Sequence, residues 1–394
     1  MLLVERHFHK GNPQIVELCQ TSKELYNKCN YYMRHRWFKN LQEDNWDVQL
    51  PDLNQLVQLV HEEQSFKNLH NTKTAKQTVR KVITDWWNFK KALKAYKQNP
   101  SAFEKKPRPP HYKERLAQVI FYNETIKKKP LKQGVITPTN GCFEIKSSRK
   151  FKQVVITPKT SGFVIEVQYE ELLKKGKSKA KGVCCIDIGL NTLCAITSDQ
   201  HAPVLVNGRI IKSINQWFNK HPSKRNSRKR YWRLENYFHH VSKMIVANCV
   251  FFGIGKIIIG KNDGWKQEMR LRKDVKQNFQ YVPYYGLFEK IKYKAAMEGI
   301  EVIFTEEAYT SKASFIDHDP LPKYGEEKYG EEKPQFSGKR IGRGLYRSGN
   351  TTWNADVNGS LNIGRKVIGE ALYGIVNRSV AATPVAVNPL KLTA

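Results

Sequence analysis

Apolar and aromatic residues recur at helical spacing from Pro13 to about Phe38, through Ile15, Leu18, Cys19, Leu25, Tyr26 and Cys29. Leu53 to Val60 repeats Leu and Val at steps of three and four, and Thr74 to Tyr96 sets Val79, Val82, Trp86, Phe89 and Leu93 among lysines, so further helices are predicted. The proline-rich stretch from Lys105 to Pro110 stops any helix. After it come short alternating runs beginning at Gln118, Gly134, Cys142, Gln153 and Gly162, which predict a small antiparallel barrel or sheet. The N-terminal region, 1–174, therefore reads as helices at about 13–97 followed by a β module at about 118–170. Polar, basic residues from Lys174 to Lys181 then suit a linker.

A second unit, 181–370, opens with Gly182 to Leu190, an apolar run broken by one acid, and continues with Thr192 to Ser198 and Pro203 to Arg209 as two more strands. A long basic helical stretch runs from His221 to Phe252. Lys256 to Gly260, a helix around Tyr284 to Met297, the strand Glu301 to Glu307 and a last helix from Asp356 complete the order βββαβαβ then α. That order suits a ribonuclease-H-like core, a mixed sheet with helices on its faces. The segment Met244 to Gly260 is apolar, but Asn248, Lys256 and three glycines divide it into a helix end, a turn and a core strand rather than a membrane span. Between the last strand and last helix lies a polar insertion, 317–349, with the tandem pentapeptides starting at Tyr324 and Tyr329; residues 371–394 read as a tail.

Charge narrows the partners. Among 394 residues, 67 Lys and Arg face 36 Asp and Glu, a formal net charge of +31, and such a surface draws polyanions, nucleic acid first. The opening residues have too short an apolar run for a signal sequence. Seven dispersed cysteines in mainly apolar contexts predict free thiols in a reducing, cytoplasmic compartment. None has the paired spacing of a zinc ribbon.

Asp187 is the most informative residue, because a charge inside an apolar strand is costly unless it is paired or binds metal. Glu306 and Glu307 end a second apolar strand, and Asp356 begins the last helix. Acids from two strand ends and a helix start can converge at one sheet edge, where Mg²⁺ or Mn²⁺ would find the oxygen donors it prefers. Two such ions about 3.5 to 4 Å apart can activate water and stabilise a leaving 3′ oxygen in phosphodiester cleavage. Asn354, Asn358 and Asn362 add a polar stripe to the last helix.

Asp187 to Asn191, Gly260 to Glu268, Gln277 to Pro283, Thr305 to Ser314, Gly338 to Tyr346 and Asn354 to Ile363, in that order, resemble the TnpB family, transposon-encoded relatives of the type V CRISPR effector nucleases. The similarity is densest from about Gly182 to Val367. It implies an α/β multidomain protein with N-terminal helical recognition and β-barrel wedge modules and a RuvC-like, ribonuclease-H-like nuclease domain. It also implies a guide RNA encoded near the transposon end, cleavage of double-stranded target DNA beside a short motif, and a monomeric ribonucleoprotein. By resemblance, Asp187 and Asp356 take the first and third acid positions. Relatives often carry the second acid after the fourth strand, where this chain reads Ile257 to Asp263; Glu306 or Glu307 on the adjacent strand is the expected replacement, with Asp263 a weaker one. Relatives also carry cysteine pairs around Tyr309 to Ser314 that are missing here, so no structural zinc is expected and the loop must be held by packing or by nucleic acid.

Lys224, Arg225, Arg228, Lys229, Arg230 and Arg233, interleaved with Tyr231, Trp232 and Tyr237, are candidates for a phosphate backbone, as are Lys339, Arg340 and Arg343. Tyr31, Tyr32, Arg34, His35 and Arg36 combine ring faces with donors that can reach base edges. Two other functions fit part of this pattern: a nuclease-inactive RNA-guided DNA-binding repressor, favoured by the missing second acid, and a transposase joining DNA ends directly.

Overall fold

The computed structural model describes residues 1–42, 49–69, 71–160, 162–173, 180–261, 282–323, 334–342, 344–372 and 383–392. Asp263, Arg343, the pentapeptides at Tyr324 and Tyr329 and most of the linker lie outside them. The chain divides into two compact units, Met1–Glu171 and Leu172–Ala394.

In the first unit, strand β1 (Leu2–His9) precedes helices α1 (Pro13–Gln42), α2 (Leu53–Val60), α3 (Gln64–Lys67) and α4 (Thr72–Gln98). Then come β2 (Val119–Tyr122), α5 (Lys128–Leu131), β3 (Val135–Ile136), β4 (Ile145–Lys146), β5 (Phe151–Lys159) and β6 (Gly162–Glu170). The aromatic spacing read from sequence is core packing: Trp37, Trp86 and Phe89 pack edge to face or tilted, and the Trp86 indole donates to Asn30 Oδ1 at 2.8 Å between α1 and α4. The barrel expectation is corrected. Among the described residues the module is an open antiparallel sheet in the order β1-β6-β5-β2 with a separate β3-β4 pair, and four strands are too few to wrap into a closed barrel. Strand β1 escaped the sequence reading because its half-buried positions are Leu3, Glu5, His7 and His9. That face is polar, and Glu5 is bonded there by His7 and Ser147.

In the second unit β7 (Gly182–Ile188), β8 (Thr192–Ser198) and β9 (Val204–Asn207) are followed by α6 (Arg209–Lys220) and α7 (Lys224–Phe251). Next are β10 (Ile254–Gly260), α8 (Tyr284–Met297), β11 (Glu301–Thr305), the meander β12 (Gly338–Gly342), β13 (Leu345–Ser348) and β14 (Thr351–Asn354), α9 (Ala355–Ile368) and β15 (Val385–Val387). Among the described residues the main sheet runs β11-β10-β7-β8-β9-β15. Its hairpin pairs β7–β8 and β8–β9 are antiparallel, while β7–β10, β10–β11 and β9–β15 are parallel.

Alternation along the strands assigns the two faces of this sheet. Cys184 and Ile186 of β7 and Ile257 and Ile259 of β10 pack with α7 and α8, whereas Cys185 and Ile258 pack with Ile363 of α9. Asp187 and Gly260 each continue the second series, so both come up on the α9 side. Three differences from the sequence reading follow from weak or misread patterns. Helix α6 was missed although Ile210, Ile211 and Ile214 recur on its core side. The insertion 317–349 holds β12 and β13, unrecognised because β12 is almost wholly exposed. The segment read as a tail contributes β15, whose Val385, Ala386 and Val387 pair with Val204, Leu205 and Val206. All seven cysteines are buried and unpaired, and no helix among the described residues is long and apolar enough to cross a membrane.

Candidate active site

Asp187 sits one residue from the end of β7, opposite Ala195 of β8. Its carboxylate lies over Gly359 on α9, with Oδ2 only 2.8 Å from where a β-carbon on that glycine would stand. Two residues earlier on the same face, the Cys185 thiol fills the corresponding space at Gly364, and Ser360 donates to the Cys185 carbonyl at 2.8 Å. Small residues on α9 thus let the helix approach the sheet closely and bring Asp356, three residues before Gly359, to the Asp187 end.

Asp356 occupies the first turn of α9, where the helix dipole favours an acid, and Asn354 caps that turn by accepting from the N–H groups of Asp356 and Val357. Thr192 donates to Asp356 Oδ2 at 2.8 Å, and Arg340 of β12 reaches Oδ1 at 3.3 Å.

The two acids after β11 part company. Glu306 pairs with Lys366 of α9, whose side chain is almost entirely buried, and accepts from the Ala308 N–H at 2.7 Å. Glu307 turns the other way, over the end of β10: its Oε1 is 2.5 Å, and its γ-carbon 2.8 Å, from the position of a β-carbon on Gly260. The register Ile259 to Ile186 sets Gly260 beside Asp187 on the neighbouring strand. A glycine at the strand end where relatives often place an acid therefore leaves the space that the Glu307 side chain fills. The turn that follows Glu307 is tight, with Tyr309 in the left-handed region at φ 62°.

The electrostatics tie the three acids together. Asp187's carboxyl is held well above the ordinary carboxylate range, first by loss of solvent, then by the charges of Glu307 and Asp356, with Arg340 partly offsetting them. Burial, with the charge of Glu306 adding to it, pushes Glu307 up to about 7. The oxygens gathered here are carboxylate oxygens, which is the donor chemistry of a hard divalent cation. Among the described residues, no three His, Cys, Asp or Glu side chains stand at spacing that would already hold a metal ion.

Asn358 and Asn362 of the asparagine stripe serve another side of α9. Asn358 donates to the Ala313 carbonyl at 2.8 Å and accepts from the Phe315 N–H at 3.0 Å, and Asn362 donates to Thr310 and Ala313 carbonyls. Asp319 accepts from the N–H groups of Ser314 and Ser337, and Tyr346 donates to the Lys312 carbonyl at 2.6 Å. A hydrogen-bonded clamp thus holds the loop that follows Glu307.

The basic candidates are scattered in role. Lys224, Arg225 and Lys229 are exposed at the start of α7 and Arg228 is half-buried. Arg230 donates to Asn215 at 2.7 Å and lies over Phe218, and Arg233 stacks on Trp217. Tyr237, grouped with that run in sequence, is core, while Tyr231 is exposed. Lys339 is exposed on β12, Arg340 stands at the acids, and Arg343 lies outside the described residues. In the first unit Tyr31 is exposed, Arg34 donates to the Pro110 carbonyl at 2.8 Å, and Tyr32, His35 and Arg36 line a separate cavity.

An open cleft of about 770 Å³ lies beside two of the three acids, and Glu307 is not among its lining residues. Asp187 and Asp356 border it together with the turn 188–192 and Arg340, and α6 forms another wall through Arg209, Lys212, Ser213 and Gln216. The sequence reading missed these α6 residues along with their helix. The signal that could have found them is a polar face at 209, 212, 213 and 216 opposite an apolar one.

Residues 284–363, from the start of α8 through most of α9, match a family model described as Cas12f1-like, TNB domain. The match contains Glu307, Arg340 and Asp356. It bears out the kinship with TnpB and the type V effectors read from the motifs. A comparison with curated proteins finds no match. Among solved structures, a Cas12f1–sgRNA–target DNA complex aligns at 12% identity over 93% of this chain and 100% of that chain, with a TM-score of 0.34. A CRISPR–Cas12f ternary complex aligns at 12% identity over 89% of this chain and 80% of that one, with a TM-score of 0.31.

Proposed function

We propose that this TnpB- and Cas12f-like chain is an RNA-guided DNA endonuclease, with a RuvC-like catalytic centre formed by Asp187, Glu307 and Asp356 on its second unit. The observation that carries the reading is the Glu307 side chain lying in the space over Gly260, where it raises the proton affinity of Asp187 together with Asp356. The strand order β9-β8-β7-β10-β11, three antiparallel strands and then two parallel ones, is that of a ribonuclease-H-like core and supports it.

Asp187, Glu307 and Asp356 would hold Mg²⁺ or Mn²⁺, which supplies water activation and stabilisation of the leaving 3′ oxygen. The chain's own groups prepare that site. Thr192 fixes one oxygen of Asp356, Arg340 neutralises the other, and the asparagine clamp sets where the turn after Glu307 begins. In hydrolysis a water oxygen bonds to phosphorus, the bond from phosphorus to the 3′ oxygen breaks, and the departing oxygen takes up a proton. Exposed Lys224, Arg225, Lys229 and Lys339 are available for phosphate contacts to guide RNA and target.

The test is cleavage of a matched target by the protein purified with its copurifying RNA. The unmodified protein should cut in Mg²⁺ and stop in chelator, and Asp187→Ala and Asp356→Ala should each abolish cutting while RNA and target binding persist. Because no three acids stand at ready metal spacing among the described residues, the repressor reading stays specific enough to test: it replaces this one if the unmodified protein binds RNA and target but does not cut in Mg²⁺ or Mn²⁺.

A further inference from the structure

Helix α6 turns one face to its core and the other to the cleft. Ile211 and Asn215 are buried and Ile214 packs with the core. Arg209, Lys212, Ser213 and Gln216, spaced i, i+3, i+4 and i+7, line the cleft opposite the acids. Lys212 donates to Asn191 Oδ1 at 3.3 Å, in the turn that leaves Asp187. The Arg209 side chain is exposed and has no hydrogen-bond or ion-pair partner among the described residues. A cation in a cleft whose opposite wall carries Asp187 and Asp356 would be expected to pair with an acid if stability were its purpose. Here neither Arg209 nor Lys212 has an acidic partner among the described residues.

We infer that this face of α6 is a backbone-tracking wall for the DNA strand being cut: Arg209 and Lys212 hold phosphates flanking the scissile one, and Gln216 hydrogen-bonds further along the same strand. The inference rests on the nuclease reading and deepens it by naming the residues that position the strand. From Arg209 to Gln216 the helix rises about 10 Å, which matches about three stacked nucleotides of one strand. A cleft of about 770 Å³ is within the range, about 300 to 1,000 Å³, of sites that engulf a small ligand. A few nucleotides of one strand fill a space of that size. The wall carries no aromatic side chain, so it tracks the backbone without stacking bases and gives no base preference.

The experiment uses the full ribonucleoprotein. In single-turnover cleavage at saturating target, Arg209→Ala with Lys212→Ala should slow cutting at least tenfold while target affinity changes less than threefold. Arg209→Lys with Lys212→Arg should restore most of the rate, which a purely structural loss would not. Cutting at the unmodified rate by the double alanine variant overturns the wall. A readout independent of catalysis separates this from failure of the nuclease reading. A photoreactive p-benzoylphenylalanine at position 216, in Asp187→Ala protein, should crosslink to one DNA strand within about three nucleotides of the cut site. If the unmodified protein does not cut, crosslinking confined to one unpaired strand still supports the wall. Crosslinking to the guide RNA, to duplex DNA or to no strand sinks it.

Discussion

Helix α9 carries polar residues on two faces, and they are in opposite circumstances. Towards the loop after Glu307, Asn358 and Asn362 are fully buried but meet main-chain groups at 2.8 to 3.0 Å. Towards the sheet end, Asp356 and the acid lying over Gly359, Asp187, are joined by Glu307, and burial with like charge raises the proton affinity of Asp187 and Glu307. Neutral polar groups that find partners rigidify a fold. Like charges gathered where solvent is scarce weaken it, and are retained where something else, a cation or a reaction, uses them. One helix therefore separates a satisfied polar face from a crowded acidic one, and the sequence motif that spans both, Asn354 to Ile363, merges them.

The two glutamates after β11 offer the sharpest contrast. Glu307→Gln keeps shape and removes a charge from the crowded side, so cleavage should fall by about a thousandfold, some 4 kcal/mol of barrier, while thermal stability holds or rises. Glu306→Gln weakens the pairing with the buried Lys366 ammonium, at about 2 kcal/mol of stability, and cleavage per folded molecule should change less than threefold. Measured together by single-turnover kinetics and melting, the reverse pattern would exchange the roles of the two residues.

On the satisfied face, Asn358→Ala should do the opposite of Glu307→Gln. It removes the Asn358 oxygen that accepts from the Phe315 N–H and one of the two amide donors to the Ala313 carbonyl, which costs about 1 to 3 kcal/mol in unfolding free energy, and the surviving folded protein should retain RNA binding. A melting curve unchanged by this substitution would mean that the clamp is not what holds the loop.

What the sequence disclosed follows the same division. Asp187 was legible because one charge interrupts an otherwise apolar run, and the second unit's strand order was legible because its elements keep their periods. That Glu307 and not Glu306 lies over Gly260 was not, since it depends on a missing β-carbon at Gly260, some fifty residues away, and on Lys366 pairing with the other acid. Asn358 and Asn362 looked like part of the acid-bearing helix face because spacing reports which residues share a face and not what that face touches. Strand β1 stayed hidden because its apolar Leu2, Val4 and Phe8 lie on the exposed face while the half-buried face is polar, and the β12–β13 hairpin because β12 is almost wholly exposed.

Gly260→Ala tests the link between that missing β-carbon and the acid. The new methyl would meet Glu307 Oε1 and the Ile363 side chain. Displacing the glutamate should slow cleavage by about ten- to a hundredfold, roughly 1.4 to 2.7 kcal/mol, with target binding retained. A wild-type rate would show that Glu307 reaches its working position without the space at Gly260.

Lys294 tests whether hydrogen bonding by itself marks a group as structural. This α8 ammonium donates to the His239 carbonyl and to Ser242 Oγ, each at 2.8 Å, yet burial first, then the charges of Lys290 and Lys243, lower its pKa to about 8. Below pH 8 both folded and unfolded chains carry the proton, and the penalty for burying the charge is fully present. Between about 8 and the unfolded value near 10.4, the unfolded chain binds the proton that the folded one has released, so this residue's contribution to stability rises with pH. The buried cysteines act in the opposite direction, because burial pushes thiols such as Cys185 up to about 12 and their contribution falls as the unfolded thiols ionise. The informative quantity is therefore the difference between Lys294→Met and the unmodified protein. The variant should be the more stable of the two below pH 8, and its advantage should shrink steadily towards pH 10, by an amount that partial solvent access keeps small. A constant difference across that range would place Lys294 with Asn358 and Asn362, as a polar group whose partners satisfy it.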